Sequence, residues 1–263
     1  MDLGLKGRPA LVAAASRGLG KACAAALAAE GARVAICARD PGALEASRDE
    51  IAEATGAEVV AIPADVATEE GAVGFVREGA EALDGCHILV PNAGGPRTGT
   101  FDELTDDDFR RAFELTFLSA VRMSREALPH MRSAGYGRIV IVGSSAVKQP
   151  IPGLMLSNAI RTGLMGWART LVDEVGPDGI TVNAVLPGRH ATDRIRELHE
   201  DRAGREGRSV AEIAAEDAAA IPLRRIGDPR ELGDVVAFLA SERASYVTGA
   251  FVLVDGGIVR GLL

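Results

Sequence analysis

Phenolic hydroxyls are scarce in this chain: its 263 residues include two tyrosines, Tyr136 and Tyr246, one tryptophan and only 4% aromatics in all. Chemistry that needs a tyrosine as proton donor has two positions to choose from. A basic surplus is missing as well. The net charge of −8 argues against a nucleic-acid partner, because tracking phosphates needs a dense cationic face. The three cysteines, Cys23, Cys37 and Cys86, are odd in number, lack metal-ligand spacing and sit in apolar stretches, so they read as reduced core thiols in a cytoplasmic protein. Apolar runs stay far below the ~20 residues of a membrane span. The segment Met1 to Lys6 is too short for a signal peptide, and no membrane partner is expected.

What the chain does have is apolar residues in a repeating order. At 47% apolar content it can bury a large core, and its length suits one α/β domain over residues 1–263. Strand candidates are Pro9 to Ala14, Arg33 to Ala38, Glu58 to Ile62, His87 to Pro91, Ile139 to Val142, Thr181 to Leu186 and Phe251 to Val254. Helical patterns alternate with them, which predicts a parallel sheet of seven strands with helices on both faces. Leu19 to Glu30 is Ala-rich and stops at Gly31; Thr105 caps a long helical pattern reaching Met131; Asp228-Pro229 opens a helix to about Ala240. One stretch breaks the alternation. Residues 194–220 are charged and helical in pattern, and an insertion of that length reads as a lid or substrate loop.

The strand ends carry the chemistry. After the first strand, Ala14, Ser16, Arg17, Gly18, Leu19 and Gly20 form a turn that lets backbone approach a pyrophosphate while the next helix aims its N–H groups at the charge. Asp65-Val66 follows the third strand, Asn92-Ala93-Gly94 the fourth, and Pro187-Gly188 with Thr192 the sixth. The fifth ends in Gly143-Ser144-Ser145. Ser157 lies thirteen residues after Ser144, and Arg161 four residues further, so a helix there puts both on one face.

These segments resemble the short-chain dehydrogenase/reductase family, in its 3-oxoacyl-acyl-carrier-protein-reductase-like form. The likeness covers nearly the whole chain outside the insertion. It implies a Rossmann-like doubly wound fold, a nicotinamide cofactor, a small-molecule substrate and a homotetramer or dimer. The family's pattern has Ser, then Tyr at the thirteen-residue interval and Lys four further; here Ser144 matches, Ser157 stands for Tyr and Arg161 for Lys. Thr116 stands where the family has an Asn, and Ala14 where it has the first Gly of the turn. The resemblance places Ser16, Arg17, Gly18, Leu19, Gly20, Arg39, Asp65, Val66, Asn92, Ala93, Gly94, Arg161, Pro187, Gly188 and Thr192 against the cofactor. Where NAD-specific members end the second strand with an acid, this chain has Ala38-Arg39; with Arg17 nearby, two guanidiniums suit a 2′-phosphate and predict NADP(H).

The altered centre leaves the reaction open. A serine hydroxyl is a far weaker acid than a phenol, whose pKa is about 10, and it is shorter. Arginine supplies a fixed cation and relays no proton. His190 is the first choice as donor, because histidine titrates near neutrality and its neighbours belong to the cofactor loop; a solvent-facing loop histidine is the alternative. Lys148 and His199 are further candidates. The readings are an NADPH-dependent reductase acting on a carbonyl, enone or imine without a tyrosine donor; a redox-neutral lyase, isomerase or cyclase on the same scaffold; and a non-catalytic NADP(H)-binding protein.

Overall fold

The computed structural model describes residues 1–261. Seven parallel strands form one sheet in the order β3-β2-β1-β4-β5-β6-β7. In chain order the elements are β1 (Pro9–Val12), α1 (Gly18–Ala29), β2 (Arg33–Ala38), α2 (Pro41–Thr55), β3 (Val59–Pro63), α3 (Glu69–Ala82), β4 (Ile88–Val90), α4 (Asp106–Phe113), α5 (Ser119–Ala134), β5 (Gly137–Val142), α6 (Met155–Val175), β6 (Ile180–Pro187), α7 (Asp193–Glu206), α8 (Val210–Ala220), α9 (Pro229–Ala240) and β7 (Phe251–Val254). This is the doubly wound arrangement expected from the alternating sequence.

Period-two alternation splits each central strand between two cores. From β5, Ile139 and Ile141 pack with α3, α5 and α6 through Phe75, Met123 and Leu164. Val140 and Val142 face the other side, where α1, α2 and α9 contribute Leu27, Leu44 and Val236. Both faces are therefore covered, which is why β5 and β6 are mostly apolar and buried along their whole length.

Local signals set the helix ends. Asp228 caps α9 with a reciprocal Glu231 contact and Pro229 at its first position, and the helix ends at Ala240, where the sequence puts it. The long middle helix is interrupted. After α4 opens on the Thr105–Asp108 capping box, residues 114–118 form a π-helical turn before α5, which ends at left-handed Gly135. The charged segment after β6 folds as the hairpin α7–α8, turning at left-handed Gly207.

The chain leaves β3, passes over β1 and β2, and enters β4 beside β1, so the direction of winding reverses between β1 and β4. A crevice outside the carboxyl ends of the strands is the consequence. No helix among the described residues is long and apolar enough to cross a membrane.

Candidate active site

One cavity of about 1230 Å³ runs along the carboxyl edge of the sheet. It is lined by the β1–α1 turn (Ala14, Ser16, Arg17, Gly18, Leu19, Gly20), by Arg39, Asp65 and Val66, and by Asn92, Ala93 and Gly94. Pro187, Gly188, His190 and Thr192 join from the β6–α7 loop, and Ser144, Ser157 and Arg161 from β5 and α6. Of the sequence-predicted site residues, Thr116 and the candidate donor Lys148 do not line it.

The turn after β1 is built for close approach. Gly20 has no room for a side chain: a Cβ there would lie 2.2 Å from the Ala14 carbonyl oxygen and 2.8 Å from Asn92 Nδ2. Asn92 in turn donates from Nδ2 to the carbonyls of Ala13 (3.2 Å) and Ala14 (3.3 Å), tying the β4 end to the turn. Ala14 is left-handed at φ 50°, a conformation that costs an L-residue roughly 1–2 kcal/mol. Gly18 is left-handed at φ 58°, and a Cβ there would touch the Thr192 methyl at 3.4 Å, which brings the β6 loop over the turn. Backbone N–H groups at the start of α1 therefore face a cradle that small residues keep open, and these residues fit a dinucleotide.

Arg39 and Arg17 are exposed in the same cavity. Asp40, the acid next to Arg39, accepts a hydrogen bond from the Ala43 N–H (3.2 Å) as the N-cap of α2. Arg39 makes no ion pair among the described residues, whereas Arg17 meets Asp193 at 3.5 Å.

At the other end of the cavity, Ser144 Oγ accepts from the Ala146 N–H at 3.1 Å, which leaves its proton to donate elsewhere. Ser157 is 7% exposed, and its hydroxyl makes no hydrogen bond among the described residues. Arg161, also 7% exposed, donates from one nitrogen to the carbonyls of Val142 (2.9 Å) and Gly143 (3.2 Å). Burial, aided by the Arg194 charge, holds its pKa down to about 10, so it stays a cation at neutral pH. Asn158, beside Ser157, fixes the loop before α6 through two hydrogen bonds with the Ile151 backbone.

Several expectations find a different setting. Thr116 is buried in the π-helical turn and gives its hydroxyl to the Ala112 carbonyl at 2.6 Å, a local bond that keeps it out of the cavity. His190 is not solvent-facing. It is 3% exposed, packs against Gly227, and has no partner for Nδ1 among the described residues; burial lowers its pKa and keeps the ring neutral. Lys148 is exposed and does not line the cavity. His199 does line it, but its Nε2 is engaged by Asp217 at 2.9 Å. Tyr246 is fully exposed, and Tyr136 sits at the opposite edge of the sheet, bonded to the Ala240 carbonyl at 2.8 Å.

Two residues that the sequence pattern did not single out complete the wall. Asp217 of α8 holds His199, Arg189 (2.7 Å) and Arg202 (3.3 Å), pinning the hairpin to the β6–α7 loop. Arg194 reaches from the start of α7 to the Pro96 carbonyl at 3.0 Å. Neither contact has a local sequence signal, since each joins segments far apart in the chain.

Known proteins share this sequence pattern and fold. The family profile described as enoyl-(acyl carrier protein) reductase matches residues 13–259. A 3-oxoacyl-(acyl carrier protein) reductase of Pseudomonas aeruginosa is 36% identical over 256 residues, covering 97% of this chain and 99% of its own. Among solved structures, L-sorbose reductase from Gluconobacter frateurii, complexed with NADPH and L-sorbose, superposes with TM-score 0.94 at 33% identity, over 100% of both chains. An NADPH-bound short-chain oxidoreductase from Pseudomonas aeruginosa PAO1, described as containing an atypical catalytic center, superposes with TM-score 0.87 at 33% identity over 96% of each chain. On sequence and fold alike, the chain belongs to the short-chain dehydrogenase/reductase family.

Proposed function

We propose that this chain is an NADP(H)-dependent oxidoreductase that moves a hydride to or from a small carbonyl, enone or imine substrate without a tyrosine proton donor. The observation that carries the cofactor half is Arg39. It stands at the end of β2 in the cavity with no acid of its own, while the neighbouring carboxylate of Asp40 is committed to capping α2. A 2′-phosphate supplies the missing counter-charge, and Arg17 adds a second guanidinium. NADPH, when bound, supplies the hydride. The NADPH complexes among the structural relatives support the same choice.

The protein's own residues then do three things. Ser144, whose Oγ lone pair is held by the Ala146 N–H, offers its proton to a substrate oxygen. Ser157 leaves open the space at its position and adds a second hydroxyl. Arg161 stabilises negative charge growing on that oxygen, acting as a buried cation that donates no proton. The proton itself comes from water admitted to the cavity, because the His190 ring is neutral and its Nδ1 is buried. A positioned acid contributes typically about 10²- to 10⁴-fold, so turnover of unactivated ketones is expected to be slow. Thr116 has no part in this scheme.

A second reading, a redox-neutral reaction with the cofactor as scaffold, is favoured by one observation: no phenol lines the cavity. Ketones, enones and cyclic imines are therefore assayed with NADPH by loss of cofactor absorbance. Turnover in any class supports the reductase; substrate conversion with constant absorbance replaces it with the redox-neutral reading. Cofactor choice is tested by titration. Arg39→Ala is expected to weaken NADPH about 10- to 100-fold, the loss of one charged hydrogen-bonded contact, and to leave NADH unchanged. Tighter binding of NADH than NADPH by the unaltered chain would overturn the assignment.

We also place the contact between copies of the chain on α4 and α6. Phe113, 40% exposed, stacks on Phe117 at 4.8 Å, and Phe117 meets Trp167 at 6.4 Å, an aromatic ridge on the surface those helices share. Sedimentation as a monomer at all concentrations would remove it.

A further inference from the structure

Most arginines in the substrate half of the cavity are paired with an acid outside their own hydrogen-bonded backbone contacts. Arg97 pairs with Asp108 at 2.9 Å, Arg189 with Asp217 at 2.7 Å, Arg202 with Glu206 at 2.6 Å, and Arg205 with Asp201. Arg161 and Arg194 do not fit this pattern. Arg161 is nearly buried and meets no carboxylate among the described residues; its two hydrogen bonds both leave from Nη1, so Nε–H and both Nη2 protons have no protein acceptor. Among the described residues, Arg194 meets only Glu197 of its own helix, 3.6 Å away and half exposed.

The position of Arg194 is built. Its guanidinium lies on the backbone of Gly95, where a Cβ would come within 2.9 Å of Nε, 3.2 Å of Cζ and 3.3 Å of Nη2. Its Nη2 donates to the Pro96 carbonyl at 3.0 Å. Gly95 follows β4 and Arg161 is fastened to the end of β5, and these strands are neighbours in the sheet. One cation is thus delivered from the hairpin and one from the core to neighbouring segments of a single cavity, whose wall also carries Glu197, 3.6 Å from Arg194, and Asp217, which is taken by His199, Arg189 and Arg202. Like charges gathered in a desolvated cleft repel unless a bound anion joins them.

From this geometry we infer that the substrate carries a carboxylate, gripped by Arg194 and Arg161, and that Arg194 is the residue that selects acids over their neutral esters and amides. The inference rests on the oxidoreductase reading for the word substrate; the binding it describes does not.

The test uses benzoate and benzamide as probes, measured by calorimetry on the full chain saturated with NADP⁺, so that Arg17 and Arg39 are already covered. Benzoate is expected to bind at least about tenfold more tightly than benzamide, and Arg194→Gln to abolish the preference, a loss of about 10- to 100-fold for benzoate. Gly95→Ala keeps every charge but displaces the guanidinium, and is expected to lose the preference too. Unchanged NADPH affinity and melting temperature in both variants show that the fold is intact. Equal binding of acid and amide by the unaltered chain, or a preference that survives Arg194→Gln, overturns the inference. If the chain fails to bind NADP⁺, the functional reading fails separately, and the same titration on the bare chain still decides the carboxylate site. In turnover, Arg194→Gln is expected to lower kcat/KM for acetoacetate at least about tenfold more than for its methyl ester.

Discussion

The two edges of the sheet each bury an arginine on or beside β5, and they use it differently. At the amino edge Arg138 is 5% exposed and its hydrogen bonds stay within the protein: the carbonyls of Gly137 (2.8 Å), Gly179 (3.2 Å) and Ser241 (3.3 Å) accept from it, and its guanidinium lies 4.1 Å from the centre of the Tyr136 ring. Arg8 covers the same ring at 3.7 Å. At the carboxyl edge Arg161 is about equally buried but has two carbonyls, no ring and open cavity beyond. Burial of a charge therefore does not mark a site. Unused donors facing a cavity do, because the cost of desolvating the cation has been met only in part by the fold.

The largest effect should come from the closed network. Arg138→Met strands three carbonyls and uncovers Tyr136, and should cost about 3 kcal/mol of stability while leaving NADPH affinity intact; chemical denaturation and a cofactor titration read the two. A loss of cofactor affinity at unchanged stability would break the contrast. Arg161→Met should do the reverse. Its stability should stay within about 1 kcal/mol, since replacing an incompletely satisfied buried ion by an apolar side chain is often neutral, and its kcat/KM should fall about 10- to 100-fold with the lost electrostatic contact.

Histidines repeat the pattern more weakly. His87 at the amino edge and His190 at the carboxyl edge both have a buried Nδ1 without a partner among the described residues, and burial depresses the pKa of each below the ordinary 6.5. Below about pH 6.5 the unfolded chain takes up protons that these two folded sites refuse, so stability present above that pH is lost as pH falls toward and through the folded values. Each contributes at most about 1.4 kcal/mol per pH unit. His87→Asn and His190→Asn should each flatten the acid limb of the stability curve, read by denaturation across pH. The smallest effect is expected at Ala14. Ala14→Gly relieves the left-handed backbone and should raise stability by about 1 kcal/mol, seen as a higher melting temperature.

How much of this was legible beforehand follows range of interaction. β2 and β7 stand where the apolar runs put them, and α9 begins and ends on its own caps, because such signals are complete within a few residues. The strand-end motifs point to the cleft for the same reason, since a parallel sheet gathers its carboxyl ends along one edge. Thr116 misled because its short hydroxyl found the Ala112 carbonyl one turn back, which the family's asparagine position does not reveal. His190 looked like a loop residue, and its burial depends on Gly227, some way along the chain. Arg194 on Gly95 and Asp217 on Arg189 exist only after folding, and no periodicity announces them.

Asp217 has a further consequence. It fastens α8 to Arg189, which lies in the loop running from Pro187 to Thr192, and Thr192 in turn caps α7 and leans on Gly18 of the first turn. The hairpin and the loop that braces the β1–α1 turn are thus linked through one carboxylate. Asp217→Asn is therefore expected to weaken binding at both ends of the cleft at once, the nucleotide as well as the smaller guest, read by titration of each.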